Sequence, residues 1–146
     1  MDAKTIAENV AHIRETMAQA ARSAGRAPED IQLCAATKMN DADAVRAAIA
    51  AGVDCCGENR VQELQQKLPQ GAYAGKPLHF IGRLQTNKVK YLVGTVDLIE
   101  SVDRMELLEA IDKLAQKRGV VQRILLEVNI AGQESKAGFT AEEAAR

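Results

Sequence analysis

Apolar and polar positions along this chain change period repeatedly, and the changes divide it into alternating helices and short strands. Over residues 2–24, Ile6, Val10, Ile13 and Met17 recur at steps of three and four between Lys4, Glu8, His12 and Glu15, which is the spacing of one helical face. Gly25 and Pro28 end that helix. Residues 31–36 predict a short buried strand, and 41–51 a helix with Val45 and Ile49 inward and Gly52 as its stop. The pattern then repeats. Residues 53–57, 78–81, 96–101 and 123–130 predict strands, and 60–68 and 86–93 predict helices. Asp103 with Glu106 three residues on predicts an N-cap and capping box for the next helix. Leu107, Leu108, Ile111 and Leu114 form its stripe, and Gly119 stops it. Thr140 with Glu143 predicts one more helix start.

Strict alternation of strands and helices means parallel βαβ units with right-handed crossovers. Two architectures fit, a doubly wound sheet and a (β/α)8 barrel. No G-x-G-x-x-G follows any strand, which weakens the dinucleotide-binding version of the first. Five units fill the 146 residues, whereas a full barrel typically takes ~250. The expectation is therefore a single domain over 1–146, incomplete as a barrel by about three C-terminal units and left with open sheet edges.

Composition narrows the function. Hydrophobic residues make up 47% and charged residues 27%, with a net charge of -1, so nothing marks a nucleic-acid or membrane-surface binder. Only 3% of residues are aromatic and Trp is absent, which leaves few platforms for base stacking. The N-terminus has no apolar leader and no later stretch is long and apolar enough to span a bilayer. Cys34, Cys55 and Cys56 lack C-x-x-C spacing, which argues against a disulfide framework and a zinc site. All three are expected to act as small core residues in a cytoplasmic protein.

In both architectures ligands bind past the carboxyl ends of the strands. The residues there are Thr37-Lys38, Gly57 to Arg60, Gly82 to Lys88, Ser101 to Asp103, and Asn129 with Gln133 to Lys136. Lys38 is the sharpest position. A lysine at a strand end of a barrel is expected to be partly desolvated, which favours the neutral amine, and a neutral amine attacks aldehydes to form a Schiff base. The plainer alternative is a surface lysine. Elsewhere, Glu58 and Arg60 read as a solvated pair, Asn59 as an N-cap, Gly82 as a tight turn and His79 as a structural strand residue.

At these rim residues the chain resembles the pyridoxal phosphate homeostasis protein family (YggS/PROSC). The matching segments are Ala36-Thr37-Lys38, the run from Gly57 to Glu63, the run from His79 to Lys88, Ser101-Val102-Asp103, and Val128-Asn129-Ile130 through Ser135 to Gly138. The resemblance implies an α/β fold, a (β/α)8 TIM barrel of the alanine racemase N-terminal-domain type. It implies pyridoxal 5′-phosphate (PLP) held as a Schiff base on Lys38, with Asn59, Ser101, Asn87 and Lys136 around the pocket. It implies a protein that buffers or delivers PLP inside the cell without established catalysis, with apo PLP-dependent enzymes as recipients, as a monomer or weak homo-oligomer. Members usually carry Val-Ser-Lys and a second lysine two positions on; here Ala36-Thr37-Lys38 leads to Met39-Asn40. Members also continue into units that supply a phosphate cup and an arginine facing the pyridine nitrogen. Two other functions stay open: a PLP-dependent racemase-like enzyme, which needs an acid/base group on each face of the substrate carbanion, and an inactive barrel fragment.

Overall fold

A computed structural model describes residues 1–146. Five short strands run parallel in the order β1 (Cys34–Ala36), β2 (Cys55–Glu58), β3 (Leu78–Phe80), β4 (Leu98–Val102) and β5 (Ile124–Leu126). Five α-helices alternate with them or precede them: α1 (Ala3–Ser23), α2 (Ala42–Ala50), α3 (Val61–Lys67), α4 (Met105–Arg118) and α5 (Ala141–Ala145). Strand order equals chain order, with no reversal. A doubly wound sheet requires a reversal at its switch point, so the order is that of a barrel.

The chain forms two compact units. The first comprises Met1–Gly57 and Gln62–Leu78. Here β1 and β2 pair in register, Cys34 with Cys55, Ala35 with Cys56 and Ala36 with Gly57. β1 is shorter than the apolar run predicts, because the Leu33 amide donates to the Asp54 carboxylate at 2.6 Å and leaves the ladder before it begins. Side-chain caps start both long helices of this unit. The Asp2 carboxylate accepts the Thr5 amide at 2.8 Å, a bond that holds its pKa below the usual value, and Asp41 accepts the Ala44 amide at 2.8 Å. Val10, Val45, Val53, Cys56, Leu64 and Tyr73 are buried.

The second unit comprises Glu58–Val61 and His79–Arg146. β3 pairs with β4 through His79–Leu98 and Phe80–Ile99, and β4 with β5 through Ile99–Ile124 and Val102–Leu126. Phe80, Ile99, Val102, Leu107 and Ile111 form its core. Three expectations change here. Residues 86–91 form a 3₁₀ turn rather than an α-helix, with bonds such as Lys88 N–H to Gln85 O spanning three residues. β5 stops at Leu126, because the Phe139 segment takes over the next backbone groups: Phe139 N–H donates to Glu127 O and Asn129 N–H to Phe139 O, each at 2.8 Å. Arg104, not Asp103, occupies the N-cap position of α4, and no side chain caps it. Asp103 is buried and its carboxylate is drawn to the Arg104 guanidinium at 2.6 Å instead. The Thr140 cap stands as read, accepting the Glu143 amide at 3.1 Å. No helix is long and apolar enough to cross a membrane.

Ile99 has no exposed surface and lies at the centre of the second unit's sheet. Ile99→Ala is expected to destabilise the fold by about 2–5 kcal/mol. Val121→Ala, at a residue 96% exposed, is expected to stay within about 0.5 kcal/mol. Urea denaturation of both variants checks the contrast.

Candidate functional site

Lys38 sits in the turn between β1 and α2, and the backbone on both sides of it is held from α3. Glu63 and Lys67 stand one helical turn apart, the i,i+4 spacing that lets side chains meet. Lys67 Nζ donates to the Thr37 carbonyl at 2.8 Å and to Glu63 Oε2 at 3.2 Å. The same Glu63 oxygen accepts the Met39 amide at 2.8 Å. The Thr37 carbonyl and the Met39 amide belong to the two peptide groups that flank Lys38, so one ion pair fixes both. Thr37 is itself buried, and its amide and hydroxyl both donate to Gly57 O, at 2.9 and 3.2 Å. Met39 adopts φ +61°, a left-handed conformation uncommon outside glycine, and the Glu63 bond stabilises it there.

The Lys38 side chain is exposed and makes no ion pair. This corrects the expectation of a partly desolvated ammonium. Lys38 lies past the end of the β1–β2 ladder, whose last pair is Ala36 with Gly57. Ala36, on the approach to Lys38, is exposed as well. The sheltered lysine of this region is Lys67, 6% exposed. Sequence reading missed it: the i,i+4 spacing of Glu63 and Lys67 was visible, but nothing local marks the pair as buried.

A second group forms within the other unit around the loop after β3. Ser101 is buried, and its hydroxyl donates to Gly82 O at 2.5 Å. Arg104, steered by Asp103, donates to Leu84 O at 2.9 Å. The Ser-Val-Asp run and the Gly-Arg-Leu run are thus two sides of one tether. Gly82 is required by close approach rather than by a turn: a Cβ there would lie 2.1 Å from the Asn59 carbonyl oxygen. Asn59 does not act as an N-cap. Its Oδ1 is buried and accepts no hydrogen bond, a state that costs on the order of 1–3 kcal/mol unless a donor arrives. Asn59, Gly82 and Ser101 are therefore brought together, and the Asn59 amide oxygen is ready to receive a donor.

The remaining candidates lie apart. Asn87 and Lys136 are exposed, and neither side chain makes a hydrogen bond or ion pair. Glu58, read as solvated, is fully buried. His79 Nδ1 meets Glu100 Oε1 at 2.7 Å, part-buried, consistent with a strand residue held by its neighbour. Of the cysteines, Cys55 and Cys56 are buried and Cys34 is exposed, so only two of the three are core residues. Cys34 lies on the same open side of β1 as Ala36, two residues along.

These features, with five parallel strands in chain order, define a barrel-type domain, and the chain belongs to the alanine racemase N-terminal domain family, whose pattern it matches over residues 1–146. Within that frame it is similar to a pyridoxal phosphate homeostasis protein of Aquifex aeolicus, 42% identical over 135 residues that cover 92% of this chain and 59% of that one. A crystal structure of an unknown protein from Bifidobacterium adolescentis superposes with a TM-score of 0.87 at 38% identity, covering 99% of this chain and 64% of that one. PipY of Synechococcus elongatus, solved with PLP bound, superposes with a TM-score of 0.73 at 32% identity, covering 92% of this chain and 57% of PipY. The chain thus spans less than two thirds of the length of these relatives.

Two substitutions separate the tethers. Gly82→Ala is expected to cost more than about 3 kcal/mol, because backbone must move to admit the Cβ, whereas Ser101→Ala, which removes one buried bond, costs about 1–3 kcal/mol. Lys67→Met leaves the Glu63 carboxylate facing Thr37 and Met39 without its cation and is expected to cost about 3–5 kcal/mol, with Glu63→Gln added to it restoring part of the loss. Chemical denaturation of the four variants reads these differences.

Proposed function

We propose that this chain is the lysine-bearing portion of a PLP-binding protein that holds the cofactor covalently on Lys38 and buffers or delivers it without catalysing a reaction. The observation that carries the reading is a free amine on a fixed backbone. The peptides flanking Lys38 are locked by Glu63 and Lys67, while its own ammonium is committed to no partner. Pre-organised backbone with an uncommitted side chain is the arrangement a covalent attachment point needs. PLP supplies an aldehyde that condenses with a primary amine when it is bound.

The residues present fit the group in two further respects. The buried Asn59 Oδ1 lacks a donor, and a cofactor hydroxyl or ring N–H would supply one. The Gly82 backbone lies against the Asn59 backbone where no side chain fits. Ser101 positions that loop through Gly82 O. Asn87 and Lys136, exposed on later loops, would contribute only at the rim. Similarity to PLP homeostasis proteins and to PLP-bound PipY supports the same cofactor.

A non-catalytic role fits the chain's residues better than racemisation does. Tyr73 and Tyr91, its only tyrosines, lie away from the strand ends, Tyr73 buried in the loop before β3 and Tyr91 at the end of a 3₁₀ turn. Racemisation needs an acid/base group on each face of a substrate carbanion, and we assign neither tyrosine to that role. The reading places the protein in the cytoplasm, as one domain over 1–146 that acts as a monomer or weak homo-oligomer, with apo PLP-dependent enzymes as recipients.

Borohydride reduction after incubation with PLP is expected to leave a pyridoxyl adduct on Lys38, found by peptide mass spectrometry and absent from Lys38→Ala. An adduct spread evenly over the exposed lysines, Lys76 and Lys117 among them, contradicts the proposal.

A further inference from the structure

Cys34 and Cys55 are register partners on neighbouring parallel strands. Facing residues of a pleated sheet point to the same side, and these two sulfurs lie within 4.8 Å of each other. Adjacent strands are about 4.8 Å apart, inside the range of about 4.4–6.8 Å between Cα atoms that a disulfide tolerates. Their environments differ in a useful way. Cys34 is exposed, whereas Cys55 is buried at 3% exposure. Cys56, the next residue, is fully buried and pairs with Ala35 on the opposite face of the sheet.

We propose that Cys34 and Cys55 form a thiol modification site that closes to a disulfide when a small disulfide oxidant such as oxidised glutathione reaches Cys34. The Cys34 thiolate attacks one sulfur of the oxidant, forming a mixed disulfide and releasing one glutathione thiolate. The Cys55 thiolate then attacks the Cys34 sulfur, which forms the Cys34–Cys55 bond and releases the second glutathione. Two protons pass from the protein thiols to the departing thiolates, and two electrons reduce the oxidant. β1 is a three-residue strand, and bond formation brings sulfurs that lie within 4.8 Å to bonding distance. An exposed disulfide is of the readily reduced, regulatory kind, and Cys34 is exposed. Closure would pin β1 to β2 four residues before Lys38. The chemistry itself needs nothing from Lys38, so it stands or falls apart from the cofactor reading.

The test incubates the full chain with oxidised glutathione, blocks remaining thiols by alkylation and maps peptides without reduction. The expected product has lost two hydrogen atoms, carries a Cys34–Cys55 linkage that dithiothreitol removes, and keeps Cys56 out of it. Cys55→Ser should stop at a glutathione adduct on Cys34, and Cys34→Ser should leave Cys55 unmodified, with circular dichroism confirming that both remain folded. A persistent glutathione adduct on Cys34 in the unmutated chain, a linkage through Cys56, or no reaction at Cys34 would each overturn the proposal.

Discussion

A buried ion pair on α3 sets the backbone on which the rest of the site depends. Lys67 and Glu63 are both largely withdrawn from water, with side-chain exposures of 8% and 18%. A buried pair is stabilising only when its remaining donors and acceptors are used. Here they are used on the Thr37 carbonyl and the Met39 amide. The cost of burying two charges is offset by bonds that also choose one conformation for the Lys38 turn, including the left-handed residue at Met39. A turn that would otherwise sample several conformers is thereby held as firmly as the helix that grips it.

The second unit repeats the logic with different chemistry. The loop after β3 is tied by a hydroxyl and a guanidinium, Ser101 to Gly82 and Arg104 to Leu84. Gly82 in turn leaves no room for anything but the Asn59 backbone. In both units a short motif is less a row of ligands than a set of residues that hold one another's backbone still. In the first unit that division of labour leaves the Lys38 amine uncommitted on a rigid support, which is what a covalent attachment point requires.

Much of this was legible in the residue pattern. Period changes located all five strands, and helix stops fell at Gly52 and Gly119, both with positive φ. Long-range partners were less legible. Asp103 with Glu106 reads locally as a capping box, but the adjacent Arg104 offers the carboxylate a charged partner and takes the cap position itself. Lys38 reads as sheltered by its place after a strand, yet it lies beyond the last β1–β2 pair and is exposed. Glu63 and Lys67 drew no assignment from the sequence, since i,i+4 charges on a helix are usually solvated. Their burial follows from the turn folded over them, which no local window contains. Cys34 was misjudged for a related reason: a strand residue is core only if something packs on its face.

The account makes its most direct claim about one backbone amide. Met39 carries a side chain 86% exposed, so a mobile turn would exchange its amide hydrogen at close to the unprotected rate. If the Glu63 carboxylate holds that N–H as described, amide hydrogen exchange followed by NMR will show Met39 strongly protected, and Glu63→Ala will abolish that protection while the α1 and α4 amides stay slow. Rapid exchange at Met39 in the unmutated chain, or protection that survives loss of the Glu63 carboxylate, would contradict it.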